Sequence, residues 1–190
     1  MADTRLVMGG LDANRYVLFG ICAGADNAIA TALVDERVAG IVLVDPHTYP
    51  NRRGKLRALR AKLVELGEPR AVLRWGLALA ERRFRGQLAR FRRRGEAAPP
   101  AEGREAPPLA EFRGELAALA GRGVAIFAIY SGIHGASYNA PDQLFEIAPE
   151  LAGKVERAFF PEANHTFTEL AAQQALIRAV TTWISTRFRS

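Results

Sequence analysis

The stretch RYVLFGICAGADNAIA, residues 15–30, changes from a strand pattern to a helix pattern within a few residues. Residues 16–19 form a short run of apolar and aromatic side chains, which is typical of a strand. Residues 26–36 combine small, apolar and polar side chains in a pattern that predicts a helix. The turn between them reads Gly-x-Cys-x-Gly over residues 20–24. The fold must therefore accommodate a sharp strand-to-helix bend around Cys22.

A cysteine at such a bend predicts a nucleophile elbow. The turn is so tight that the residues two before and two after the nucleophile must be small, and Gly20 and Gly24 meet that requirement. Unsatisfied N–H groups and the dipole of the following helix favour a thiolate, and the N–H of Ala23 is expected to face an oxyanion. Cys22 is the predicted nucleophile; the alternative is a small buried cysteine in an ordinary turn.

A nucleophilic thiol needs a base, and the chain has three histidines: His47, His134 and His165. His165 lies between the last predicted strand and the last predicted helix. Hydrolases built on a parallel sheet place their catalytic imidazole there, after the nucleophile and the acid in chain order. We therefore predict His165 as the base.

Three residues are candidates for the group that orients this imidazole. Asp45 closes a predicted strand, at the edge of a parallel sheet where ligand sites occur, although an Asp-Pro pair is also a common turn former. Asp142 follows the third predicted strand at some distance. Asn139 would act as in Cys-His-Asn sites. Position favours Asp45, with Asp142 second and Asn139 third.

The remaining apolar segments alternate between strand-like and helix-like, which predicts βα units around a parallel sheet. The predicted strands are residues 16–19, 39–44, 124–130 and 155–160; the predicted helices in the sheet region are residues 26–36, 142–148 and 170–188. Thr166 and Glu169 form a candidate capping box for the last helix. The fold class is α/β, with a mostly parallel sheet of about four strands.

A long basic segment interrupts this alternation. Residues 51–95 contain fifteen Lys and Arg against three Glu, so their net charge is 15 − 3 = +12. Leucine and phenylalanine recur there at helical spacing, which predicts an insertion of basic amphipathic helices that caps the core. Residues 96–108 are rich in Pro, Ala and Glu and predict a connector. We expect a core of residues 1–50 and 109–190, and a helical cap with its connector in residues 51–108.

Composition limits the remaining function classes. The chain has 190 residues, of which 49% are hydrophobic, so one packed core is expected. A single cysteine excludes an intrachain disulfide and favours a reducing compartment, the cytoplasm. No metal cluster, cofactor motif or stretch of eighteen apolar residues is present in the sequence. We therefore expect no cofactor and no metal.

Several of these motifs together resemble the α/β-hydrolase superfamily, in particular a bacterial branch with cysteine at the elbow. They are GICAGA at residues 20–25, VLVDP at residues 42–46, IYSG at residues 129–132 and FPEANHTFT at residues 160–168. In similar proteins the last motif carries the catalytic histidine. The resemblance implies a hydrolase or acyltransferase that acts on ester or thioester bonds of a small-molecule acyl substrate.

The sequence departs from this family in two ways. Many members have the acid within a few residues of the third predicted strand, but residues 132–135 offer no carboxylate, which strengthens Asp45. A complete hydrolase also has several strands before the elbow, whereas only fifteen residues precede the first strand here. We expect a truncated product, a misassigned start or one part of an assembly, with Ala23 as the oxyanion donor acting alone.

The missing strands would also leave a sheet edge exposed, which predicts self-association. The alternative function is a non-catalytic fragment or scaffold whose basic cap binds anionic surfaces. Such a cap predicts weak contact with an anionic membrane. No nucleic-acid motif or stacking platform accompanies the charge, so specific nucleic-acid binding is not expected.

Overall fold

The computed structural model describes residues 2–49, 51–92, 106–134 and 137–189. The chain forms two compact units: Met1–Gly54 with Ala106–Ser190, and Lys55–Glu105. The first unit contains a sheet with helices, and the described residues of the second, 55–92, are mainly helical. The described part of the predicted connector is limited to residues 106–108; its other residues lie outside the described ones.

Twelve helices and strands follow one another along the described residues, apart from one short 3-10 turn. The first six are α1 (Ala2–Gly9), β1 (Tyr16–Ile21), α2 (Ala23–Val34), β2 (Val38–Val44), α3 (Arg52–Leu66) and α4 (Pro69–Arg92). The other six are α5 (Leu109–Gly121), β3 (Ala125–His134), β4 (Ser137–Tyr138), α6 (Gln143–Ile147), β5 (Val155–Asn164) and α7 (Leu170–Arg187).

Four strands form a parallel sheet in the order β1, β2, β3, β5, and the two-residue β4 pairs antiparallel with the end of β3. The predicted α/β class and the parallel sheet of about four strands are confirmed. The basic amphipathic helices predicted for the insertion are present as α3 and α4. Since β1 pairs only with β2 among the described residues, β1 forms an edge of the sheet there.

Strand β2 shows why the sheet is covered on both faces. Ile41 and Leu43 belong to the apolar cluster that includes side chains of α2, α5 and α6. Val42 and Val44, which alternate with them, belong to the cluster that includes side chains of α7. Successive side chains of a strand point to opposite faces, so a strand buried on both sides is apolar throughout.

Three local expectations differ from the structure. Helix α5 was not predicted, although its buried side chains Phe112, Leu116 and Leu119 recur at helical spacing. Strands β3 and β5 continue beyond their apolar runs, to His134 and Asn164. The capping box of α7 is wrong: Glu169 is the N-cap and makes no side-chain cap bond, because the turn before it holds Thr166 against Asn164 instead.

The described part of the second unit contains most of α3 and all of α4. Large apolar side chains on both helices are exposed, among them Leu63 of α3 and Leu73 of α4. No helix among the described residues is long and apolar enough to cross a bilayer.

Candidate active site

The bend after β1 has the geometry of a strained elbow. Cys22 lies between the end of β1 and the start of α2, with φ 54° and ψ −117°. This backbone conformation is costly for a residue with a side chain and is found where the surrounding structure enforces it. The carbonyl of Cys22 accepts the N–H of Ala25 at 2.9 Å, which closes the first turn of the helix.

The two glycines of the motif have different roles. A Cβ atom on Gly20 would lie 2.2 Å from the backbone carbon and oxygen of Gly24, so only glycine fits there. A Cβ atom on Gly24 would meet no atom within 4 Å outside the backbone of its own helix. The expected need for a small residue therefore holds at Gly20 and not at Gly24. The backbone of Gly24 leaves no room for a side chain at position 20. A side chain at position 24 would point away from this close contact.

Backbone hydrogen bonds fix Cys22 and Asp45 at the same edge of the sheet. The N–H of Cys22 donates to the carbonyl of Val44 at 3.0 Å. The N–H of Asp45 donates in turn to the carbonyl of Ile129 at 2.8 Å, and Asp45 has a positive φ of 45°. Cys22 and Asp45 lie where the parallel strands β1 and β2 reach their carboxyl ends, and the carboxyl ends of strands are where α/β sheets place ligands.

The carboxylate of Asp45 is buried and accepts four hydrogen bonds. Oδ1 accepts the N–H of Ser131 and the amide of Asn139, both at 2.9 Å. Oδ2 accepts the hydroxyl of Ser131 at 2.5 Å and faces Nδ1 of His165 at 2.9 Å. Asp45 is only 1% exposed, so its charge depends on these donors for stabilisation in place of water.

His165 is held by the turn that follows β5. The side chain of Asn164 accepts the N–H of Thr168 at 3.1 Å and donates to its hydroxyl at 2.6 Å. The carbonyl of Asn164 accepts the N–H of Phe167 at 3.0 Å, and Phe167 has a positive φ of 50°. This compact turn aims the imidazole of His165 toward Asp45 and leaves a quarter of the side chain exposed.

Of the three groups considered for orienting the imidazole, Asp45 is the one that contacts it. Asp142 is exposed and pairs with Arg157. Asn139 donates to Asp45 and thus supports the carboxylate. The structure therefore places His165 and Asp45 together and Asp142 elsewhere.

Another histidine makes a separate contact. The Nε2 atom of His47 lies 3.0 Å from Oδ1 of Asp26, and its ring packs against Phe112 and Tyr49. His47 is buried, with 8% of its surface exposed. It follows β2 at a short distance from Asp45 in sequence, but the carboxylate of Asp26 that it contacts lies on α2.

Ser131 has a place in the site that the sequence reasoning missed. It is fully buried and donates twice to Asp45, from its N–H and from its hydroxyl. The available signal was its position directly after the predicted third strand, residues 124–130, in the IYSG motif. Its neighbour Tyr130 is fully buried too; burial, and secondarily the nearby charge of Asp45, raises the pKa of the Tyr130 hydroxyl, which therefore stays neutral.

Among the described residues, no group of three or more His, Cys, Asp or Glu side chains could hold a metal ion. The lone thiol, Cys22, is partly exposed.

No protein-family model and no curated protein sequence matches this chain. Solved structures from Mycobacterium tuberculosis do match its fold. BpoC of strain H37Rv, a candidate non-heme bromoperoxidase, has 18% identity and a TM-score of 0.52, over 97% of this chain and 72% of its own. Rv0554 has 17% identity and a TM-score of 0.51, over 97% of this chain and 70% of its own. These neighbours are α/β-hydrolases, so the chain has the α/β-hydrolase fold.

Proposed function

We propose that this protein is a hydrolase or acyltransferase that attacks an ester or thioester with Cys22. His165 acts as the base, and Asp45 orients it. The observation that carries the proposal is the contact between Nδ1 of His165 and the buried carboxylate of Asp45, at the sheet edge where the strained Cys22 lies. A carboxylate only accepts hydrogen bonds, so Nδ1 carries the proton and Nε2 is the nitrogen that can take one.

The acylation step uses these groups in order. Nε2 of His165 takes the proton of the Cys22 thiol as the sulfur bonds to the acyl carbon. The carbonyl oxygen becomes an oxyanion, for which we propose the N–H of Ala23, at the start of α2, as a donor. When the carbonyl re-forms, the bond to the alcohol or thiol leaving group breaks. The imidazolium, stabilised by Asp45, returns the proton to that group.

The deacylation step repeats the proton transfers with a new nucleophile. Water or another acceptor gives a proton to Nε2 of His165 and attacks the thioester on Cys22. The second oxyanion collapses, the carbon–sulfur bond breaks, and the proton returns to the thiolate. The acyl group leaves as a free acid when water attacks, or as a new ester when an alcohol does.

A direct test compares wild type with Cys22→Ala and His165→Ala on short and long p-nitrophenyl esters and on acyl thioesters. We expect both variants to lose roughly a thousandfold or more in kcat/KM. Asp142→Asn is the matched control, because it removes an exposed carboxylate that pairs with Arg157 and not with the imidazole. Mass spectrometry of quenched reactions should find an acyl group on Cys22 in wild type.

Equal hydrolysis by wild type, Cys22→Ala and His165→Ala would remove this chemistry. Absence of both turnover and acylation in wild type would favour the alternative of a non-catalytic scaffold. We also propose a cytoplasmic location, where a partly exposed thiol such as Cys22 stays reduced.

A further inference from the structure

Helix α4 carries an apolar stripe that is open to solvent. Leu73, Leu77 and Phe84 are 65%, 63% and 65% exposed. At about 100° of rotation per residue, these three side chains lie within about 40° of one another around the helix axis. We call these three residues the α4 stripe. Single exposed apolar residues are ordinary, but an aligned set on one helix marks an interaction surface.

Positive charge lies beside this stripe. Arg70 and Arg74 are exposed and lie about 60° and 100° from Leu73 around the helix. The segment that contains α3 and α4, residues 51–95, has a net charge of 15 − 3 = +12. Trp75 lies on the far side of α4, about 200° from Leu73.

Bulk water, a nucleic acid and an anionic lipid surface would each interact with different parts of this surface. Bulk water satisfies the arginines and leaves the α4 stripe hydrated. A nucleic acid would also satisfy the arginines, but its phosphates offer nothing to Leu73 and Leu77. An anionic lipid surface satisfies both parts, since its headgroups attract the arginines and its acyl chains receive the leucines and the phenylalanine.

We propose that α4 lies on the surface of an anionic membrane, with Leu73, Leu77 and Phe84 inserted below the headgroups. The helix lies parallel to the membrane plane and Trp75 faces away from the lipid. This interaction goes beyond the proposed catalysis and does not involve Cys22.

The first experiment measures binding of the full chain to vesicles. One set contains phosphatidylcholine alone, and in the other about a third of the lipid is phosphatidylserine. We expect at least about tenfold tighter binding to the anionic vesicles, weakened but not abolished by high salt, because salt screens the charges and leaves the apolar contacts.

The matched variants separate the α4 stripe from general surface hydrophobicity. Replacing Leu73, Leu77 and Phe84 together by Gln should reduce binding to anionic vesicles about tenfold or more. The control replaces Leu6, Leu170 and Ile177 by Gln; these side chains are 79%, 69% and 60% exposed on α1 and α7. The control should bind as wild type does. Both triple variants change exposed positions only, and circular dichroism checks that they stay folded.

A depth measurement tests the orientation of the helix. The chain has two tryptophans, Trp75 and Trp183, and Trp183 is buried in the first unit. In a Trp75→Phe background, Phe84→Trp should be quenched strongly by lipids brominated on their acyl chains. Native Trp75, on the far side of α4, should be quenched much less.

Several results would overturn the proposal. One is equal binding by the α4 triple variant and its control, and another is equal quenching at positions 75 and 84. Absence of binding to anionic vesicles at low salt would also overturn it. Tight binding to nucleic acid that is unaffected by the α4 triple variant and vanishes with salt, without vesicle binding, would assign the basic segment to nucleic acid instead.

Discussion

Asp45 and His165 are 120 residues apart in the chain, and their side chains approach to 2.9 Å. The contact links the end of β2 to the turn after β5. Strand β3 lies between those two strands in the sheet, and its Ser131 donates hydrogen bonds to both oxygens of the carboxylate. The orientation of the imidazole thus depends on three strands in register.

Asp45→Asn tests this contact on the proposed reaction. An asparagine can present its amide N–H groups to Nδ1, which would favour the tautomer with the proton on Nε2, the wrong nitrogen for a base. We expect kcat/KM for a p-nitrophenyl ester to fall on the order of 10³-fold, with the fold kept in circular dichroism. A variant that retains wild-type kcat/KM would show that Asp45 does not orient the base.

Asn139→Ala tests whether support of Asp45 contributes to the rate. The variant removes one of the donors to the buried carboxylate, so we expect about a tenfold lower kcat with little change in KM. The control, Asn51→Ala, removes a comparable amide-to-carboxylate bond, at 2.9 Å to Glu146, together with a bond to the N–H of Gly54. It should lower stability and leave kcat as it is. Similar rate losses in both variants would indicate a general effect on the fold.

The four parallel strands could be predicted because each contains a short run rich in Val, Ile, Phe or Tyr, and β2, buried on both faces, is apolar throughout. The two-residue β4, Ser137–Tyr138, has no such run and was missed. Helix α5 is missing from the predicted helices, although Phe112 and Leu116 have the spacing of a buried helix face. The predicted capping box was wrong because the side chains of Thr166 and Thr168 form hydrogen bonds with Asn164 in the turn. The local sequence does not distinguish these hydrogen bonds from those of a helix cap.

The candidate site could be predicted only in part for a related reason. The bend at Cys22 is formed by residues that are neighbours in the chain. Its glycines and its position between a strand and a helix can therefore be recognised in the sequence. The choice among Asp45, Asp142 and Asn139 depended on contacts between residues far apart in the chain, and so did the role of Ser131, 86 residues from Asp45. Register across the sheet brings these groups together, and a single sequence does not specify that register.

We expect Asp35 to make the stability of the fold depend on pH. Asp35 is the C-cap residue of α2, and its carboxylate accepts three hydrogen bonds from Arg37, which lower the pKa of Asp35 from 3.8 to about 2. A pKa that is lower in the folded state adds stability above the unfolded value, and that stability is lost as the pH falls toward 2. Asp35→Asn should therefore unfold at lower urea concentration than wild type at pH 7.

The difference between Asp35→Asn and wild type should shrink between pH 4 and pH 2, where wild type loses the same charge. Asp12→Asn is the control, since Asp12 is exposed and no ion pair joins it to another described residue. A difference that stays constant down to pH 2 would contradict the charge-based explanation.

The edge strand β1 predicts self-association. Phe19 is 49% exposed there, beside backbone groups on the side of β1 that no described strand pairs with. Sedimentation velocity should show association that increases with concentration, and Phe19→Lys should reduce it, because a lysine on an edge opposes strand pairing. Leu170→Lys, at a position 69% exposed on α7, should not. A wild type that is monomeric at every concentration would contradict this prediction.

Gly20→Ala and Gly24→Ala form a matched pair that tests the geometry of the bend. The added methyl at position 20 would lie 2.2 Å from the backbone of Gly24, and rigid backbone cannot yield as a flexible side chain could. We expect a loss of more than about 3 kcal/mol in the free energy of unfolding, together with slower alkylation of Cys22 as the elbow distorts. The same methyl at position 24 would contact no atom within 4 Å outside its own helix backbone. Alanine is favoured over glycine in a helix by up to about 1 kcal/mol. Gly24→Ala should therefore unfold no more readily than wild type. Urea unfolding measures both, and equal midpoints for the two variants would mean that β1 and α2 do not approach as closely as the structure has them.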